Sequence, residues 1–319
     1  MQKYTIGIDL GGTTVTAGLV DENYNIIEKI TWATALPRPA EDLEAHMAKL
    51  CRTVAEKAGV DFAQVESIGI GTPGSVNSAE GSVGFNANFN YRNWNLGPDM
   101  EALLGRKVYI ENDANAAAYG EYLAGSAKGY NSAICVTLGT GIGGGIIEDG
   151  RIYTGANGAG GEIGHTVICR GGRACNCGRK GCWERYGSAR ALAEDTFEAS
   201  KKHPESLIAK LVKDNKGRAN AKIAFDARDA GDSVAADVVQ NWLEAVSCGL
   251  VNIINCFQPD VICISGGVSN QGDTLLKPIQ KIVDEEDYNR GGEHRTVIKL
   301  ASLRNDAGVL GAAYLYRQH

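Results

Sequence analysis

Three closely spaced thiols are the first residues able to do chemistry. Cys175, Cys177 and Cys182 follow a CxCx₄C pattern among Gly171, Gly172, Gly178 and Gly181, and Glu162-Ile163-Gly164-His165 lies just upstream. Three thiolates and an imidazole are the donors of a closed tetrahedral zinc site. Dense cysteine spacing in an intracellular chain points to ligands rather than disulfides. Cys169 competes with His165 for the fourth position. A metal would order a loop too rich in glycine to order itself. The other cysteines (Cys51, Cys135, Cys248, Cys256 and Cys263) sit in apolar runs and read as core thiols.

A second set of residues suits anion binding. Asp9-Leu10-Gly11-Gly12-Thr13-Thr14 ends a β-rich run. Glycines there let backbone approach a ligand and turn N–H groups toward anionic oxygens. The hydroxyls of Thr13 and Thr14 add donors. Asp9 would hold Mg²⁺ through water, which that ion gives up reluctantly. Gly139-Thr140-Gly141 and Gly266-Gly267 also follow apolar runs. Each turn alone serves equally well as a plain tight turn. Neither the Rossmann spacing nor a Walker A loop is present. Three such turns at strand ends carry more weight, because α/β sheets bind ligands at the carboxyl ends of their strands. Asp113 comes just after the run KVYIE and precedes an Ala-rich segment from Ala114 to Leu123 that reads as a helix. It reads as a helix N-cap, as a general base toward a hydroxyl, or as both. Asn112 beside it offers a donor and an acceptor.

The elements that must position these residues alternate. Short β-rich runs cover YTIGID, VTAGLVD, IIEKITW, SIGIG, KVYIE, ICVTL, GIIED and VICIS. Leu43, Met47, Leu50 and Val54 recur at helical spacing, as do the apolar residues from Val234 to Phe257, where Pro259 stops the pattern. A last helix is expected over Ala307–Tyr316. Displaced by 128 residues, Ile6 matches Ile134, Leu10 matches Leu138, Gly11 matches Gly139 and Asp21 matches Asp149. We read this as an internal duplication. The fold class expected is α/β, with two similar domains around a cleft: 1–112 with 305–319, and 113–304.

Composition narrows the function classes. The 319 residues carry a net charge of −6, with 22% charged and 44% hydrophobic side chains. That argues against nucleic acid as the main partner. The start MQKYTIGIDLGG has no signal-peptide pattern, and no apolar run is long enough for a membrane helix. A cytoplasmic protein without a membrane partner is expected.

Together, DLGGTT (9–14), NDAN (112–115), LGTGIGGG (138–145), EIGH (162–165), CNCGRKGCWE (175–184) and SGG (265–267) resemble the ROK family of sugar kinases and repressors, within the actin-like ATPase fold. The resemblance implies an ATP-dependent hexokinase acting on the 6-hydroxyl, with glucose the leading substrate. N-acetylmannosamine, N-acetylglucosamine, mannose and fructose kinases share most of the motifs. It implies that Asp113 is the catalytic base, and that Asn112, Glu162, His165 and Glu184 bind sugar hydroxyls with help from Gly74 and Asn88. It implies a structural Zn²⁺ on His165, Cys175, Cys177 and Cys182. Phosphates and Mg²⁺ would be held by Asp9, Gly11, Gly12, Thr13, Thr14, Thr140 and Gly141, with Gly266 and Gly267 near the nucleoside. A homodimer or tetramer is implied as well. A sugar-responsive regulator without catalysis would lack the base or carry a DNA-binding segment. Asp113 is present, and the first strand begins too near Met1 to leave room for such a segment.

Overall fold

The computed structural model describes residues 3–86 and 89–319. Period-two alternation builds its first sheet. In β1 (Tyr4–Leu10), Ile6, Ile8 and Leu10 are buried. After a short glycine turn β2 (Thr14–Asp21) returns antiparallel, and β3 (Ile26–Ala33) continues the meander. Helix α1 (Ala40–Lys57) buries the predicted stripe of Leu43, Met47, Leu50 and Val54. It crosses to β4 (Val65–Thr72), which pairs parallel with β1. An antiparallel excursion follows: β5 (Ser75–Asn77), β6 (Ser82–Asn86) and β7 (Tyr91–Trp94). Helix α2 (Leu96–Leu104) then leads to β8 (Lys107–Asn112), parallel to β4, and α3 (Asp113–Ala124) begins at once.

The second sheet opens with β9 (Ala133–Leu138), β10 (Ile142–Glu148) and β11 (Arg151–Ile152). Helices α4 (Glu184–Gly187), α5 (Ala189–Lys202), α6 (Leu207–Asp214), α7 (Ala221–Asp229) and α8 (Ser233–Phe257) come next. Then β12 (Val261–Ser265), α9 (Asp273–Glu286), β13 (Val297–Leu300) and α10 (Ala307–Ala313) complete the chain. The two main sheets run β3-β2-β1-β4-β8 and β11-β10-β9-β12-β13. Each is three consecutive strands in reverse order with two later strands added, as the 128-residue repeat predicts.

The chain forms two units: residues 1–135, 145–161 and 301–319, and residues 136–144 with 162–300. The division falls at 135/136 rather than at 112/113, because α3 packs within the first unit against α10. A Cβ on Gly120 would sit 2.1 Å from Ala307 O, and one on Gly311 would sit 1.7 Å from Ala116 O. Small residues thus let the two helices meet backbone to backbone. The same closeness holds α10 on the sheet: a Cβ on Gly7 would lie 1.8 Å from Val309 O, and one on Gly69 1.7 Å from Ala312 O. Gly7 and Gly69 are register partners on β1 and β4. The predicted last helix is therefore real but shorter, ending at Ala313, with a 3₁₀ turn over Leu315–Gln318.

In the second unit α8 runs from Ser233 to Phe257, and Gln258 ends it in a left-handed conformation (φ 43°) just before Pro259. Trp183 is fully buried against it, donating Nε1–H to Ala245 O at 2.8 Å. A Cβ on Gly249 would lie 2.0 Å from the indole, so glycine makes room for the ring. This anchor fixes its chain neighbours Cys182 and Glu184. Cys256 is exposed, not a core thiol, because it lies on the solvent side of α8; Cys51, Cys135 and Cys263 are buried and Cys248 is half-buried. No helix among the described residues is long and apolar enough to cross a membrane.

Candidate active site and metal centre

In the first unit, two carboxylates stand at the carboxyl ends of β1 and β8, with β4 between them. Asp9 pairs in register with Gly71, and Gly71 with Glu111. A Cβ on Gly71 would meet Ala116 Cβ at 3.1 Å and Asp113 Cα at 3.6 Å. Glycine there lets the start of α3 settle over the strand ends. Burial, reinforced by the charge of Asp113, pushes Asp9 up from its ordinary value to about 6. Gly308 of α10 closes in from another side, where a Cβ would be 3.0 Å from Asp9 Cγ.

The helix cap is Asn112, not Asp113. Asn112 has extended backbone angles, and its Oδ1 accepts from Ala114 N at 2.9 Å and Asn115 N at 3.3 Å. Asp113 is the first helical residue, with Oδ1 2.9 Å from Ala114 N. The helix start therefore keeps its cap whatever the carboxylate of Asp113 does. Asn112 Nδ2 reaches toward Gly74 O at 3.5 Å. Gly74 has φ 116°, and a Cβ there would lie 2.5 Å from Phe85 O, so only glycine fits. The buried Asn86 amide ties the same turn by donating to Pro73 O. Asn88 lies outside the described residues.

Glu111 was not singled out from the sequence, yet it organises this corner. Its buried carboxylate accepts from Asn112 N (2.8 Å) and Asn115 Nδ2 (3.1 Å) through Oε1, and from Ser78 Oγ (2.8 Å) through Oε2. A charged residue in the run KVYIEN, one place before the polar pair, was the available signal.

The turn after β1 is tight: Gly11 N donates to Thr14 O at 2.9 Å, and Thr34 Oγ1 to Gly11 O at 2.7 Å. Gly12, Thr13 and Thr14 are exposed. In the second unit, Gly139 N donates to Gly141 O at 3.0 Å, and Thr140 is exposed. Gly266 has φ 96°, and a Cβ there would lie 2.3 Å from Leu138 O. The turns at 139–141 and 266–267 are thus neighbours at the ends of β9 and β12. Around both Gly139 and Gly267 a Cβ would find open space.

The thiol cluster forms as spaced. Cys175 Sγ lies 3.6 Å from His165 Nδ1, and Cys177 Sγ lies 3.6 Å from Cys182 Sγ. The four donor atoms all fall within 4.8 Å of one another. Tetrahedral thiolates at zinc distance stand about 3.8 Å apart, so the set fits Zn²⁺. Cys169 is not in the group; its sulfur lies against Gly172, where a Cβ would approach it to 2.9 Å. Left-handed Gly178 (φ 89°) and Gly181 (φ 84°) turn the loop, and Cys175 N donates to Arg179 O at 2.9 Å. His165 is reached by a 3₁₀ turn over Ile163–His165 that packs on β10: a Cβ on Gly164 would lie 2.2 Å from Ile142 O. Glu162 at its head is exposed. Glu184 is half-buried, and its Oε2 accepts from Ile142 N at 3.1 Å. Within the second unit the fold therefore gathers Glu162, His165, Glu184 and the Gly139–Gly141 turn on one set of connected segments.

The family model described as "ROK family" matches residues 5–319. The chain is 37% identical to the glucokinase of Thermotoga maritima, across 98% of this chain and 97% of that one. It is 38% identical to the glucokinase of Streptomyces coelicolor, across 98% of both. Among solved structures it is similar to the ROK family glucokinase from Streptomyces griseus in complex with glucose and AMPPNP, with a TM-score of 0.80, 37% identity, and coverage of 99% of this chain and 100% of the other. The chain belongs to the ROK family, and its fold is the two-unit α/β arrangement of the actin-like ATPases.

Proposed function

We propose that the protein is an ATP-dependent hexose kinase that transfers the γ-phosphoryl group to the 6-hydroxyl of glucose. The observation that carries this reading is the pair Asp9, at the end of β1, and Asp113, just after β8, on either side of β4 and beside a glycine turn. It occurs in a chain similar over nearly its whole length to glucokinases.

Asp113 accepts the proton of the 6-hydroxyl as that oxygen attacks the γ-phosphorus. The bond from phosphorus to the bridging oxygen breaks, and ADP leaves with its electrons. Phosphoryl transfer asks the protein mainly for position and charge stabilisation. Asn112, Glu162, His165 and Glu184 orient the sugar by its hydroxyls with help from Gly74, and the family resemblance assigns Asn88 to the same task. Gly11 to Thr14 and Thr140–Gly141 present donors to the phosphates, and Gly266–Gly267 lie by the nucleoside. Asp9 would hold, through water, the Mg²⁺ that accompanies ATP, and that ion would supply neutralisation of the phosphate charge. His165, Cys175, Cys177 and Cys182 would hold a structural zinc, which would tie the loop carrying His165 and Glu184. Assembly into a dimer or tetramer, in the cytoplasm, belongs to the same reading.

A coupled assay of ADP release over a sugar panel tests it. Glucose is expected to give the highest kcat/KM among glucose, mannose, fructose, N-acetylglucosamine and N-acetylmannosamine, and metal analysis a single zinc per chain. Sugar binding without ADP release for any member would instead favour a regulator.

A further inference from the structure

The segment that follows the last thiol of the metal cluster is fastened to the glycine turn between β9 and β10 at two points. Glu184 Oε2 accepts from Ile142 N at 3.1 Å. Arg190 N donates to Gly139 O at 3.3 Å. The carboxylate needs the missing side chain at 141: a Cβ on Gly141 would stand 2.2 Å from Glu184 Oε2. Its other oxygen faces the metal loop, with Cys175 Sγ 4.0 Å from Oε1. Buried Trp183 holds the backbone just before Glu184 in place. One carboxylate thus spans from the thiol cluster to the turn.

We infer that Glu184 is a positioning residue for the nucleotide phosphates in addition to a sugar contact. A turn rich in glycine samples many backbone conformations, and only some aim its N–H groups at a phosphate. A charge-assisted hydrogen bond to Ile142 N selects among them. The inference rests on the proposed assignment of this turn to ATP. It has a consequence beyond that assignment: sugar and nucleotide sites share a residue, so occupancy of one changes affinity for the other.

The test is a calorimetric titration of the zinc-loaded protein with Mg·AMPPNP in the absence of sugar. Glu184→Ala is expected to weaken AMPPNP binding on the order of tenfold. Glu184→Gln keeps it within about twofold, since the amide oxygen still accepts from Ile142 N. Unchanged AMPPNP affinity in Glu184→Ala overturns the inference. Titrating the same variants with glucose alone reads the sugar contact separately. Unchanged glucose affinity there removes Glu184 from the sugar site and leaves the positioning role standing. Should Glu184→Ala fail to fold, Glu184→Asp, whose shorter side chain draws the carboxylate away from Ile142 N, goes through the same AMPPNP titration: weaker binding is expected, and unchanged AMPPNP affinity overturns the inference.

Discussion

Shifted by 128 residues, Asp9 at the end of β1 corresponds to Thr137 at the end of β9. The surrounding strands have the same order in both sheets, yet the two positions differ in kind. Thr137 Oγ1 and Ser265 Oγ share a hydrogen bond at 2.8 Å, so the second sheet closes its polar groups on each other. In the first sheet the parallel partner of Asp9 on β4 is Gly71, which brings no side chain, and its partner on β2, Thr16, shares its hydroxyl with Thr31. Asp9 instead feels burial and the charge of Asp113. One architecture was used twice, and the residue that terminates the strand decides where negative charge collects. The second copy has no carboxylate at that strand position and presents glycine turns and a metal loop.

Among the changes that bear on this comparison of strand ends, replacing the charge of Asp9 should have the largest effect. Asp9→Asn, or Asp9→Thr in imitation of the second copy, is expected to lower kcat/KM for Mg·ATP roughly 10²-fold. The pH profile sharpens the point. Below about 6 Asp9 takes up a proton and stops attracting the cation, so kcat/KM for Mg·ATP should fall as pH drops through that value. Removing the neighbouring charge with Asp113→Asn should move this limb to lower pH in Mg·AMPPNP binding. A flat profile from pH 5 to 8, roughly the range that samples this group, would break the comparison.

A smaller effect is expected from Glu111→Ala, which leaves the donors Asn112 N, Asn115 Nδ2 and Ser78 Oγ without their acceptor. Denaturant unfolding should show a loss of about 1–3 kcal/mol, with turnover reduced severalfold through a displaced Asp113. Glu111→Gln should recover most of both, because the Ser78 hydroxyl can turn and accept. Thr137→Val should matter least. It breaks one hydroxyl pair, costs about 1 kcal/mol or less, and leaves kcat within about twofold.

Much of the site was legible in the sequence because its signals are local. Cysteine spacing specifies a donor set within one loop, and glycine after an apolar run specifies a turn. The repeat exposed the shared sheet order because the two copies keep their strand ends in step. What stayed hidden depends on tertiary packing. Asn112 and Asp113 are both good capping residues, and only the backbone angles decide that Asn112 caps. The grouping of α3 with the first unit comes from the glycine contacts of Gly120 and Gly311 with the far end of the chain. Cys256 lies among apolar neighbours in sequence but on the open side of its helix. Glu111 was not singled out because its three donors, Asn112 N, Asn115 Nδ2 and Ser78 Oγ, come together only in the fold.

The most direct test is Asp113→Asn assayed for glucose affinity and turnover together. Because Asn112 caps the helix, the variant should fold and bind glucose nearly as before, while kcat falls roughly 10²–10⁴-fold. Turnover close to that of the unaltered protein, with glucose binding intact, would contradict the assignment of the proton to Asp113.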